Sequence, residues 1–250
     1  MPPAAPPAPV PSKLEGMWSD PPPTAVGTLC FFACTDAAID RLNTLLDDPA
    51  NDDRPFPELS AAAQKHQQDT YFRPRLTDNA LKTYPLDPAD DPGFLRCEPW
   101  GLAKQMFAPH QLEIRRSGDN QIELRYGEWE ARRTVYLDGR TAPADLAPSR
   151  LGFSVGRWDG DTLVVETSRV AAGITWWDAQ HSDQFRVVEH FTRSEDGSTL
   201  NLTATIEDPW SLREPVVAKK VWRWAPDQKI TPYDACEPAT EFKKGTSEQP

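Results

Sequence analysis

From Leu112 onward the chain alternates apolar and polar residues with a period of two, and turn residues interrupt that alternation roughly every ten positions. Such a pattern is the signature of consecutive antiparallel strands. Candidate strands span residues 111–116, 121–126, 129–138, 150–158, 162–167, 184–193, 200–208 and 215–224. The breaks between them are Ser117-Gly118-Asp119-Asn120, Asp138-Gly139, Asp159-Gly160-Asp161 and Glu195-Asp196-Gly197-Ser198. Asp-Gly between two strands is a strong hairpin signal. About eight sequential strands cannot stay flat with two open edges, so they close into a barrel or a strongly bent sheet. A barrel of that size has an interior wide enough for one small ligand.

The first 110 residues read differently. Residues 1–24 begin MPPAAPPAPVP, a polyproline-like arm with neither the basic nor the apolar segment of a secretory signal. Residues 25–110 read as a helical and irregular segment packed on the barrel. Thr35 and Asp36 can cap a helix carrying Ile39, Leu42, Leu45 and Leu46 that stops at Asp48-Pro49. A second helix is expected from Pro57 towards Tyr71. The barrel would occupy 111–238, followed by a polar tail at 239–250. The expected fold is thus mainly β, an antiparallel barrel of about eight strands with an N-terminal helical segment.

Charge narrows the partners. There are 38 acidic against 27 basic residues, a formal net charge of −11, which repels phosphate backbones and anionic lipid. Apolar runs such as Leu163-Val164-Val165 are far shorter than the ~20 residues a bilayer needs. Nucleic acid and membrane are therefore not expected as partners. Cys30, Cys34, Cys97 and Cys236 allow three pairings that sequence does not distinguish, and the absence of a signal favours reduced thiols in the cytoplasm. A signal already removed would move the chain to the periplasm.

The informative residues are ionisable side chains in apolar lanes. Glu189 shares a strand face with Phe185, Val187 and Phe191. A carboxyl held there has its charged form disfavoured, which suits it to proton transfer. Arg133 lies in the lane of Trp129, Ala131, Val135 and Leu137, and Lys220 in that of Val216, Ala218, Trp222 and Trp224. Two readings stand side by side: a buried ionic network that holds the barrel shut, or an acid/base pair and an anion clamp facing a cavity. A bulge would instead turn Arg132, Thr134 and Tyr136 inward.

The longest interruption runs from Ser168 to Asp183 and contains Trp176, Trp177 and His181. Long loops inside compact domains are commonly lids or binding loops. One of two adjacent tryptophans is available to cover a pocket mouth, and His181 is a general acid or base, or a histidine capping the next strand. Several sharper motifs fail. His181-Ser182-Asp183 cannot converge as a triad because sequence neighbours point apart. Gly152-Phe153-Ser154-Val155-Gly156 matches a nucleophile elbow but sits inside a strand pattern. The four histidines are scattered and no glycine-rich phosphate loop follows a strand, so neither a cofactor nor a metal is expected.

Tyr136-Leu137-Asp138-Gly139-Arg140 and the run Gly156-Arg157-Trp158-Asp159-Gly160-Asp161-Thr162-Leu163-Val164-Val165-Glu166-Thr167 resemble a large group of bacterial proteins. Leu95-Arg96-Cys97-Glu98-Pro99, His181-Ser182, Glu189-His190-Phe191 and Cys236-Glu237 are similar to further marks of that group. The resemblance implies a calycin- or lipocalin-like barrel. It also implies a cofactor-independent lyase acting on small lignin-derived phenolic compounds, phenylcoumarans among them. Such enzymes lose a one-carbon unit, formaldehyde or carbon dioxide, with His181, Glu189 and Arg133 at the site.

On this reading His181 or Glu189 transfers the proton, and Arg133 or Lys220 holds a phenolate or carboxylate. Tyr126 and Tyr136 donate to a phenolic oxygen, and Trp129, Trp176, Trp177 and Trp222 wall the pocket. The rival reading is a lipocalin-like carrier that binds an aromatic or apolar molecule unchanged. A third is a structural interaction module without a cavity. The expected partner is a small aromatic molecule, with the chain as a monomer or a homodimer.

Overall fold

The computed structural model describes residues 13–86, 97–231, 236 and 237. Its centre is a closed nine-stranded barrel, the mainly β barrel architecture expected above with one strand more. The strands are β1 (Gly16–Ser19), β2 (Leu112–Arg116), β3 (Gln121–Tyr126), β4 (Arg132–Tyr136), β5 (Phe153–Asp159) and β6 (Thr162–Ser168). Two short strands, β7 (Gly173–Ile174) and β8 (Gln180–His181), pair outside the barrel. The chain then re-enters through β9 (Arg186–Arg193), β10 (Thr199–Glu207) and β11 (Val216–Trp224). Around the barrel the order is β1-β11-β10-β9-β6-β5-β4-β3-β2.

Alternation explains the faces. In β10 every second residue, Leu200, Leu202, Ala204 and Ile206, is buried in the core, while the residues between them stay partly exposed. The Gly156–Thr167 motif folds as the β5–β6 hairpin, with Asp159 paired to Thr162 across Gly160 and Asp161. Gly160 has φ of 57° there, the left-handed backbone that a tight hairpin turn takes up most readily at glycine.

Three features depart from the sequence expectation. First, closure uses a ninth strand: β1 pairs with β2 through Met17 and Glu113 and with β11 through Trp18 and Trp224. Gly16 is required there, since a Cβ would overlap the Trp224 ring. Second, β4 and β5 run parallel, with Val135 opposite Ser154. A 16-residue connection from Leu137 to Gly152 makes that orientation possible, because parallel neighbours need a long crossover. Third, the candidate strand 129–138 shortens to β4, because Trp129 and Glu130 take φ of 57° and 47° in a tight turn.

Short helices lie between β1 and the other barrel strands. Helix α1 (Ala25–Leu29) is capped by Thr24 and α2 (Asp36–Leu46) by Thr35, whose hydroxyl accepts from the Ala38 amide. Helix α3 (Phe56–Gln67) starts with Pro57 in its first turn. Leu29, Ala38, Leu42, Leu45, Leu59 and Ala63 form a small second core. Residues 30–34 extend the sheet beside β11: Val221 N–H donates to Cys30 O and Lys219 N–H to Cys34 O. The cysteines are paired, Cys30 with Cys34 and Cys97 with Cys236, which corrects the expectation of reduced thiols. Spacing alone could not reveal the second pair, whose members lie 139 residues apart. Among the described residues no helix is long and apolar enough to cross a membrane.

Candidate functional site

Inside the barrel the sequence-predicted ionisable residues all point inward, but they do not share one site. Arg133 on β4 and Glu189 on β9 form a bidentate ion pair: Nη1 donates to Oε1 at 3.2 Å and Nη2 to Oε2. The same Nη1 donates to the Tyr126 hydroxyl oxygen at 3.3 Å. Both charged side chains are at most 1% exposed. Burial raises the Tyr126 pKa above the ordinary phenol range, against the opposing field of Arg133, so this hydroxyl stays protonated. Glu189 is therefore a paired carboxylate, not the isolated carboxyl that its apolar lane suggests.

Lys220 makes a separate structure. Its ammonium donates to the carbonyls of Phe31, Phe107 (3.4 Å) and Ala108 (2.8 Å), and it lies over the Phe31 and Trp222 rings. Burial pushes its pKa well below the usual lysine range. Trp222 is buried too, with Nε1 donating to His110 O at 3.1 Å. These residues tie the N-terminal segment and the 102–108 stretch to β11.

A cleft of about 880 Å³ opens at the end of the barrel where β6 and β10 finish and β5, β9 and β11 begin. Its walls include Trp100, Lys104, Arg150, Gly173, His181 and Trp210. His181 is 2% exposed, packed against the Phe185 ring at 4.6 Å between centroids. Its Nδ1 lies 3.0 Å from the carbonyl oxygen of Ser182. A carbonyl only accepts, so Nδ1 carries the hydrogen and a neutral ring presents a lone pair at Nε2. That Nε2 is buried and makes no hydrogen bond. Burial lowers the His181 pKa, partly offset by the Ser182 carbonyl and the Asp208 charge, so the ring is neutral at pH 7. Gly173 leaves room beside it: a Cβ there would stand 3.0 Å from Nε2.

The predicted tryptophans divide as adjacent residues must. Trp177 is 1% exposed and stacks on Phe72 at 4.6 Å, so it is core. Trp176 is half-buried, stacks on Phe32 and meets the edge of the cleft residue Trp100 at 6.2 Å. Trp129 lies in the β3–β4 turn, away from the cleft lining. Tyr136 lies on the outer face of β4, stacked on Phe153 with the Arg140 guanidinium over it. His181 is thus the one predicted catalytic residue that lines the cleft, with Trp176 beside it.

Sequence reading missed Gly173, Trp100, Lys104, Arg150 and Asp208. Asp208, at the end of β10, is 1% exposed and accepts hydrogen bonds from Ser182 N–H at 2.7 Å and Ser182 Oγ at 2.6 Å. Its position at the foot of a long alternating strand read only as a strand end. A polar residue that closes an apolar lane was the signal available.

No protein-family model and no curated protein matches the chain. Among solved structures it is similar to a variant of the fluorescent protein UnaG, with 19% identity and a TM-score of 0.30 over 46% of this chain and 70% of that one.

Proposed function

We propose that the protein is a cofactor-independent lyase for a small hydroxylated aromatic compound, with His181 as the group that accepts the proton. The observation that carries this reading is a buried neutral imidazole whose Nε2 has no partner, on a histidine that lines a cleft with indole walls. A base of this kind needs a donor from the ligand, and a hydroxyl supplies one. Trp100 and Trp210 offer flat apolar surface to the ring, while Lys104 and Arg150 supply positive charge for a phenolate or carboxylate.

The resemblance to the bacterial barrel group supports the reaction class. In a substrate with a hydroxymethyl group, Nε2 takes the hydroxyl proton and the adjacent C–C bond breaks to release formaldehyde. Its electron pair forms a carbon–carbon double bond and expels a neighbouring aryloxide, which recovers the proton from the imidazolium. The two disulfides favour an oxidising compartment such as the periplasm over the cytoplasm.

One observation favours the carrier reading. Arg133 and Glu189 satisfy each other within the barrel, which leaves His181 as the predicted acid/base residue at the cleft. Incubation with pooled phenolic dimers, read by mass spectrometry, separates the two. A product lighter by formaldehyde, abolished by His181→Ala and weakened by Gly173→Ala, is expected. Saturable tryptophan quenching with every ligand recovered unchanged would establish a carrier instead.

A further inference from the structure

His181 stands on a strand of two residues, so β8 itself cannot fix the orientation of its ring. The Nδ1 contact to the Ser182 carbonyl does so. What fixes Ser182 is Asp208, 26 positions further along the chain. One carboxylate oxygen accepts the Ser182 amide at 2.7 Å and the Ser211 hydroxyl at 2.8 Å. The other accepts the Ser182 hydroxyl at 2.6 Å and the Trp210 amide at 3.3 Å. The Ser182 hydroxyl in turn accepts from the Gln184 amide at 3.0 Å. A carboxylate with four donors is held in one orientation, and it holds the residue whose carbonyl selects the imidazole hydrogen.

We propose that Asp208 is a positioning residue which, through Ser182, keeps His181 in the Nδ1–H tautomer with the Nε2 lone pair turned to the cleft. The functional meaning of this arrangement rests on the proton-transfer reading above, whereas its test does not. The charged groups around the ring are Glu98, Lys104, Arg150 and Asp183, which share the cleft lining, and Asp208 behind Ser182. Among these, Asp208 combines charge with the hydrogen-bond route. Its charge favours the imidazolium, so its loss lowers the His181 titration midpoint while the tautomer loosens.

Asp208 also closes the turn after β10, where its carbonyl accepts from the Ser211 and Leu212 amides. A purely structural role therefore predicts lower stability and an unaltered imidazole. Nitrogen-15 spectra of the histidine rings across pH distinguish the two, with His181 assigned by its loss in His181→Gln. The wild-type ring is expected as a single Nδ1–H tautomer. In Asp208→Asn the tautomer ratio shifts about tenfold towards Nε2–H, the loss expected for one hydrogen bond to a charged group, and the midpoint falls. Ser182→Ala keeps the amide bond to Asp208, loses the two hydroxyl bonds with Asp208 and the Gln184 amide, and gives a smaller shift in the same direction.

Folded variants that keep the wild-type tautomer and midpoint would overturn the proposal. If Asp208→Asn fails to fold, Ser182→Ala decides alone, and an unaltered ring there is the overturning result. A wild-type protein that binds no phenol, yet shows these ring responses, sinks the proposed function and leaves the positioning role intact.

Discussion

Arg133 and Glu189 reach each other from strands more than fifty residues apart, and the cost of separating them follows from their burial. Removing one partner strands the other as an uncompensated charge. Glu189→Gln is expected to lower stability by about 3–5 kcal/mol. Replacing both with leucine removes the desolvation cost together with the attraction, so the double variant should recover most of that loss. Urea unfolding of the two single variants and the double variant checks this; strictly additive losses would show that the pair is not coupled. At this scale the sequence revealed which residues point inward, since inward direction follows from the period of two. It did not reveal that Glu189 faces Arg133, because that depends on where β4 and β9 lie around the barrel.

Strands and helices were legible wherever local signals agreed. Eight barrel strands appear where alternation and turn residues place them, and α2 begins at the Thr35 cap. Strand β1 was not legible: four residues beside a proline-rich arm carry too short a pattern, and they become a strand only by lying between β2 and β11. Lys220 works at this same scale, since its ammonium ties β11 to the carbonyls of Phe31 and Ala108. Lys220→Met keeps the length of the side chain but leaves those carbonyls without their donor. A loss of about 1–3 kcal/mol is expected, reduced by the relief of burying a cation. Thermal unfolding measures the loss, and ligand quenching at the cleft should be unchanged. A variant of full stability would mean the tie contributes nothing net.

Across the whole molecule, the two disulfides constrain very different lengths of chain. Cross-linking over 139 residues removes far more unfolded-state freedom than cross-linking over four. The loop-entropy relation gives about 5 kcal/mol for Cys97–Cys236 and about 2 kcal/mol for Cys30–Cys34. Cys97→Ser should therefore destabilise the protein more than Cys30→Ser, as read by denaturant midpoints without reductant. Equal losses would place the stabilisation in local packing rather than in chain entropy. Alkylation of thiols before and after reduction, on protein taken directly from cells, tests the oxidising compartment as well.

The sequence by itself determined the class of fold, the strand positions and the inward lanes, because period and turn chemistry are properties of neighbouring residues. It also singled out His181, through the unusual length of the loop that carries it. Tertiary structure decided the rest: the parallel β4–β5 pair, the closing strand, the cysteine partners, and the separation of Arg133, Lys220 and His181 into three environments. The cleft belongs to that second group. Its walls come from residues 98 to 210, brought to one barrel end only when the sheet closes. Partnership across a closed barrel is set by the order and stagger of its strands, which a local pattern does not encode.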